Sequence, residues 1–527
     1  MSPSIGYRRV RLCSRLALFG ALLGAVVATA PPLTHAQGNR PGPDEMRWGL
    51  HVTLASRWLD PAETEAFSTP FMVMYAIHDA MVRPMPAGLN TPSLAESWTE
   101  AKDHLSYTFT LRKGVKFHNG EPVTAEDVKF SWDRYKGASS KLLKDKVKEV
   151  QILSPSQVRF VLREPWPDFI TFYGTTASGA GWIVPKKYVE KVGDDGFKAA
   201  PIGAGPYKVV AFKPGVELVL EAHEAYWRKS PNVKTLVLKV IPDEATRLAA
   251  LKRGEVDIAY SITGPLAEEL KRTPGLTLKP TYMPFTSWLV PVEQWDPKSP
   301  WHDRRVRLAA NLAIDREGIN QAAYLGLAKV TSSMIPSQMD YFWQPPAPSY
   351  DAAQAKKLLA EAGYPNGFDA GELSGDMIYG SAIGEPSVNY LNAVGIRVRL
   401  RLMERAAYYS EYGEKKLRGV LYTGSAAFGN AATRLESYVI GGGRYVYGSH
   451  PDMDGLFSEQ VNETNARVRQ QILSKIQQMA HERVMFIPVM ETAFLNGVGP
   501  RAEVHGLNVI PGFAYSAPYE DLRVKKK

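Results

Sequence analysis

Few residues of this chain stand at spacings that do chemistry by themselves. A serine nucleophile on a strand-to-helix elbow needs Gly-x-Ser-x-Gly, and none is present. A phosphate-cradling loop needs Gly-Lys before Ser or Thr, and no Gly-Lys pair occurs. Gly203-Ala204-Gly205-Pro206 comes nearest to a dinucleotide fingerprint. Its proline spoils the helix N-terminus that must face a pyrophosphate, so it reads as a tight turn before a strand. His223-Glu224 and His481-Glu482 each lack the second histidine four positions on that a zincin requires. The remaining histidines are scattered singly. Cys13 is the only cysteine, so thiol nucleophiles, thiolate zinc sites and iron–sulfur clusters are excluded from everything after it. No catalytic, metal or cofactor site is expected. Paired carboxylates of the glycosidase kind leave no local signature, so a hydrolase stays open as the alternative to a binding protein.

The elements that would position a site form a mixed α/β chain. Residues 105–111 (LSYTFTL) alternate apolar and polar positions as a half-buried strand does. KGVKFHNG (113–120) reads as a short strand between two turns. Thr124 with Asp127 three residues on starts a helix whose Val128, Trp132 and Tyr135 share one face. Residues 207–212 and 216–221 pair around Lys213-Pro214-Gly215. Asp243 caps a helix that Gly254 ends, and 256–259 begins the next strand. Further helices cover 303–313, 351–362 (capped by Asp351, stopped by Gly363 and Pro365) and 464–482. Strands cover 394–403 and 484–490.

The first residues carry an address. Arg8, Arg9, Arg11 and Arg15 precede an apolar stretch at 16–30, and Thr34-His35-Ala36 offers small residues for cleavage near Ala36. Pro31-Pro32 closes the stretch before the roughly 20 residues a spanning helix needs. Export to the periplasm is the expectation. Residues 1–36 hold four Arg and no acid, so their loss takes the net charge from +9 to +5 (9 − 4). That is mild, and no stretch interleaves basic and aromatic residues as a nucleic-acid groove would. No nucleic-acid partner is expected, and no second long apolar run follows.

Leu94-Ala95-Glu96-Ser97-Trp98, then LSYTFTLRKGVKFHNGEPVTAEDVKFSWDR (105–134), resembles the signature of the family 5 extracellular solute-binding proteins, the dipeptide, oligopeptide and nickel receptors of ABC importers. Gly205-Pro206-Tyr207 with Tyr226-Trp227, VIPDEATRLAALKRGEVDIA (240–259), His302 to Arg307 with Ala313 to Arg316, and Tyr350-Asp351 through LLAEAGYPNGF (358–368) resemble its later blocks, in family order. The resemblance implies a two-lobed periplasmic-binding-protein fold of type II, cluster C-like, with an extra domain in the first lobe. Carried onto this chain, lobe one holds 44–83, 201–285 and 490–527, the inserted domain 84–200, and lobe two 286–489. It also implies a monomer that takes a small-molecule ligand between the lobes and meets ABC-importer permease subunits in the inner membrane. A sensor that presents ligand to a membrane receptor is the other reading of the same scaffold.

Peptide-binding relatives hold a ligand's α-ammonium with an Asp in lobe two. The corresponding stretch here, LYTGSAAFGNAATRLESY (421–438), has no acid between Glu414 and Glu436, and Phe428, Gly429 or Asn430 takes that place. An unpaired buried ammonium is costly, so the pocket reads as neutral or anion-seeking. Arg405 or Arg434 would fork a carboxylate or phosphate, or Arg434 would pair with Glu436 on the surface. Trp288, Phe428, Asn430, Tyr445 and Tyr447 complete the candidate ligand-binding set, for a peptide-like, opine-like or sugar-like solute.

Overall fold

The computed structural model describes residues 40–63, 68–377, 380–424 and 429–525, less the side chains of 68–70, 380–381 and 405–406. The candidate export segment and Cys13 lie outside the described residues, as does Phe428. Residues 41–527 form one compact unit.

One eleven-stranded sheet runs through it. Ten strands make its main path: β1 (Glu45–Leu50), β2 (Tyr207–Lys213), β3 (Glu217–Ala222), β4 (Thr235–Val240), β5 (Ile258–Ala259), β6 (Thr277–Pro291), β7 (Phe368–Asp376), β8 (Ile396–Met403), β9 (Val420–Gly424) and β10 (Ile487–Val498). Their order is β8-β7-β9-β6-β10-β5-β1-β4-β3-β2, with Lys329–Val330 pairing off β10. The two long central strands, β6 and β10, are antiparallel. β10 is buried at all twelve positions, as a strand covered on both faces must be. Their register is interrupted between Tyr282 and Thr286 and again between Ser287 and Trp288.

The helices used below are α1 (Ala125–Arg134), α2 (Glu244–Lys252), α3 (Arg304–Ala313), α4 (Arg316–Tyr324), α5 (Ala352–Glu361), α6 (Ala431–Tyr438) and α7 (Ala466–Glu482). Their starts follow local chemistry. The Asp243 carboxylate accepts the Thr246 amide at 2.8 Å, and Asp351 accepts that of Gln354 at 2.8 Å. The Thr124 amide donates to Asp127 at 2.9 Å, and the same carboxylate accepts the Lys186 amide at 2.9 Å. Such caps satisfy donors that a helix N-terminus leaves without partners.

The core differs on the two sheet faces. On one face a single apolar layer joins Leu248 and Leu251 of α2 with Val306 of α3, Ile319 of α4, Leu359 of α5 and Leu289, Leu373 and Val489 of the sheet. It runs without a break across the expected 285/286 boundary. The opposite face carries two separate cores, one around Trp48, Leu238, Tyr260 and Phe513, the other around Trp288, Leu421, Leu435 and Tyr438. A further core, with Phe109, Trp132, Phe160 and Tyr173, belongs to a four-stranded antiparallel sheet (Ala95–Glu100, Ser106–Leu111, Gln157–Leu162, Val147–Ser154).

Two expectations need correction. KGVKFHNG is no strand: Lys116 and Pro122 make an isolated bridge, because turns at Gly114 (φ 78°) and Gly120 (φ 87°) leave too few residues for a ladder. The histidines are not all single. His78, His118 and His223 gather at the Gly203–Gly205 turn, which presses on residue 77: a Cβ on Gly203 would fall 2.1 Å from the Ile77 carbonyl oxygen and 2.7 Å from His78 Nδ1. The Gly203 amide donates to His118 Nδ1 at 3.2 Å, and Gly205 O lies 3.0 Å from His118 Nε2. This pairing requires the neutral imidazole carrying its proton on Nε2.

Candidate functional site

Strand direction locates the site. β9 runs from Val420, opposite Pro291, to Gly424, opposite Ser287, and β7 lies parallel to it, ending at Asp376. From the other side β5 starts opposite Val498 and heads along β10, with β1 parallel to it. The carboxyl ends of β1 and β5 and those of β7 and β9 therefore approach the same irregular stretch of β6 and β10. Ligands of open α/β sheets bind outside such carboxyl ends.

The groups gathered there are polar and buried. Thr286 and Trp288 of β6 are both 0% exposed, and neither Thr286 Oγ1 nor Trp288 Nε1 has a hydrogen-bond partner among the described residues. Across the convergence, His51 Nδ1 and the Tyr260 hydroxyl are likewise buried without partners. Burial holds the His51 imidazole neutral, its pKa pulled down to about 4, with Arg247 adding to the effect. Native folds seldom leave such groups unsatisfied, and these sit on strands whose ends converge.

Arg247 sets the ends of the strands on the His51 side. Its guanidinium donates to the carbonyls of Tyr260 (2.5 Å), Ile241 (2.6 Å), Pro242 (3.0 Å) and Ser261 (2.5 Å). Ser287 Oγ, on the face opposite Trp288, lies 3.1 Å from Thr492 Oγ1 and 3.2 Å from Tyr422 Oη. The Glu491 carboxylate accepts the Ser337 amide at 2.9 Å and its hydroxyl at 3.0 Å.

Arg434 is a cation on the Trp288 side of this region. It is fully buried, so it is not the surface arginine paired with Glu436. Its guanidinium donates to Pro284 O at 3.1 Å and Met334 O at 3.3 Å, and lies 5.9 Å from the centre of the Trp288 ring. Burial pulls its pKa down to about 9, against the Tyr438 and Tyr409 phenols. A charge held this deep is kept in place by carbonyl dipoles.

The other candidates divide. Asn430 caps α6, its Oδ1 accepting the Ala432 amide at 3.0 Å, while its Nδ2 donates to Asp168 at 2.6 Å. Tyr445 and Tyr447 join an aromatic group with Tyr412; Tyr445 also stacks on Tyr438 at 5.0 Å. That group packs into the core behind Trp288. Arg405 begins a helix, Arg405–Gly413, and its side chain is outside the described set. Thus Trp288 and Arg434 stand together, Asn430 is engaged elsewhere, and the two tyrosines lie in the aromatic group packed against the Trp288 core. Sequence reasoning missed His51, Tyr260, Thr286 and Asp376. The last is a buried carboxylate ending β7, on the Trp288 face by strand alternation. The acid-free stretch 415–435 therefore does not make the whole site acid-free. Among the described residues no group of three or more His, Cys, Asp and Glu could hold a metal ion, and no helix is long and apolar enough to cross a membrane.

Comparison with known proteins bears on family and fold. Residues 91–445 match the family model "Bacterial extracellular solute-binding proteins, family 5 Middle". Heme-binding protein A of Haemophilus influenzae is 28% identical over 475 residues, 81% of this chain and 83% of that protein. The glutathione-binding protein GsiB of Salmonella choleraesuis is 30% identical over 354 residues, 64% and 67% of the two chains. The crystal structure of the ABC transporter substrate-binding protein CtaP of Listeria monocytogenes superposes with a TM-score of 0.80 at 21% identity, covering 92% of this chain and 99% of that one. The fold is the two-lobed one of periplasmic binding proteins, and the chain belongs to the family 5 bacterial extracellular solute-binding proteins.

Proposed function

We propose that this protein is the exported receptor of an ABC importer and that its solute is a carboxylate-bearing organic molecule not anchored through a free α-ammonium. The observation that carries this reading is the buried polar groups without partners among the described residues on the converging strands, His51 Nδ1 and Tyr260 Oη on one side and Thr286 Oγ1 and Trp288 Nε1 on the other, with the Arg434 guanidinium 5.9 Å from the Trp288 ring. Haem and glutathione, which name two relatives, both carry carboxylates, and a guanidinium fork suits that group. The place of an ammonium-binding acid falls to Phe428, Gly429 or Asn430, none of them acidic, and Asn430 is already engaged as a helix cap.

The division into lobe one, inserted domain and lobe two at residues 83/84, 200/201, 285/286 and 489/490 goes with this reading. The interrupted register of β6 and β10 at Tyr282–Thr286 is where the lobes would bend, since a bulge absorbs a change of backbone angle. Binding without turnover is expected. The Ser287 hydroxyl has the Thr492 and Tyr422 hydroxyls as neighbours, and neither is a general base at neutral pH. The loaded receptor, a monomer, would meet permease subunits at the inner membrane.

A thermal-midpoint screen of the exported chain tests the ligand class. Haemin, glutathione, opines, oligosaccharides and dipeptides with free or acetylated amino termini form the panel. A carboxylate-bearing solute at 100 times its Kd is expected to stabilise by about 2.7 kcal/mol. Acetylating the amino terminus of a peptide ligand should leave its effect intact. Stabilisation only by free-amine dipeptides would overturn the ligand reading, and turnover of any solute would overturn the absence of catalysis.

A further inference from the structure

Asp168 lies just ahead of the short helix Phe169–Tyr173, in the segment with its own four-stranded sheet and core. Its carboxylate leaves that segment's core and meets α7. Arg469, 301 residues on, donates two parallel bonds to it, Nη1 to Oδ1 at 2.6 Å and Nη2 to Oδ2 at 2.5 Å. Arg469 is 2% exposed. Its Nε donates to Gln460 Oε1 at 2.9 Å, and its guanidinium lies 5.0 Å from the centre of the Tyr341 ring. A third donor reaches the same carboxylate: Asn430 Nδ2 at 2.6 Å from Oδ1. Asn430 is the cap of α6, the helix that carries Arg434 one turn further on. Contact is also close beside it, since a Cβ on Gly429 would lie 3.5 Å from the Ala177 Cβ. Burial, and then the Asp168 charge, push the carboxyls of Asp340 and Glu436 upward.

A bidentate arginine–carboxylate pair out of water holds its geometry tightly, and losing one partner leaves a buried charge uncompensated. Here the pair joins three stretches far apart in sequence, and one of them is the start of the helix that places the cleft's cation. We propose that Asp168 and Arg469 are a positioning pair, a clasp that holds the inserted segment against α6 and α7 through Asn430, so that closing the cleft and placing Arg434 are one event. The proposal rests on the receptor reading above and adds a function for the inserted segment: it fixes the binding helix from outside the cleft.

Distances measured by electron spin resonance test it without any ligand. The single cysteine, Cys13, is replaced by Ser, and Lys148→Cys with Lys475→Cys, both at exposed positions, carry the spin labels on the inserted segment and α7. The parent chain is expected to give one narrow distance distribution. In Arg469→Met the distribution should broaden and move to longer distances. Should Arg469→Met fail to fold, Asp168→Asn decides, because its amide oxygen still accepts a hydrogen bond while the ion pair is gone. The doubly reversed chain, Asp168→Arg with Arg469→Asp, should recover the narrow distribution, which a purely local packing role would not produce. A parent-like distribution in both single variants overturns the clasp. If solutes still stabilise the chain in the thermal screen, that result removes the clasp and leaves the receptor reading. A widened distribution with no stabilising solute supports the clasp and removes the receptor reading.

Discussion

Arg247→Met is expected to lower the unfolding free energy by roughly 4 kcal/mol, because the guanidinium it removes is the donor to four carbonyls. Two of them, Tyr260 O and Ile241 O, are fully buried, and each stranded acceptor costs about 1–3 kcal/mol. The other two, Pro242 O and Ser261 O, are partly buried, and water takes up some of their loss. Met refills much of the apolar stem, so the deficit is polar and not a cavity. Arg247→Lys should recover only part of it, since one ammonium cannot reach carbonyls placed for a planar fork. Urea unfolding measures both: the midpoint falls with the slope unchanged. A loss below about 1 kcal/mol in Arg247→Met would mean the four carbonyls find other donors.

Acid should destabilise the fold well above the carboxylate range. Burial holds the imidazoles of His78 and His51 neutral with pKa values of about 4, and that of His118 at about 3. In the unfolded chain each returns to about 6.5. The folded state thus binds fewer protons between those values. Stability is fully present above pH 6.5, falls as the pH drops below it, and levels off near the folded pKa values. At pH 5 a fully buried histidine of this kind accounts for about 2 kcal/mol. His78 is fully buried, whereas His51 and His118 keep some exposure, so their shares are smaller. The expected loss from pH 7.5 to pH 5 is roughly 4 kcal/mol. Asp257 and Glu520, raised by burial, act in the opposite sense. Denaturant midpoints at the two pH values check the loss, and His78→Gln should flatten the slope. A flat profile would contradict neutral burial of these rings.

What the sequence reveals depends on how local the cause is. Asp243 and Asp351 were legible as caps because donor and acceptor stand three residues apart. Asn430 followed by a helix pattern carried the same signal, yet it first reads as a pocket residue, because a side chain's second partner, Asp168, lies 262 residues away. KGVKFHNG looked like a strand because alternation is local while ladder partners are not. The binding region shows the same limit. An arginine in an acid-free stretch flagged Arg434, but its burial depends on Pro284 and Met334 from other elements. His51, Tyr260, Thr286 and Asp376 stand on strands that converge only through strand direction, which no spacing reports. Asp376 closes a run of four buried positions in β7, which no alternation of residue types announces.

Thr286→Val tests the central claim most directly. The Thr286 hydroxyl is buried and has no partner among the described residues, so an isosteric methyl should leave the unfolding midpoint of the unliganded chain unchanged or slightly higher. If that hydroxyl waits for the solute, titration calorimetry with the strongest stabiliser from the screen should show affinity falling about tenfold, the equivalent of one hydrogen bond lost on binding. Equal affinities for Thr286→Val and the parent chain would contradict a solute site at this convergence of strands.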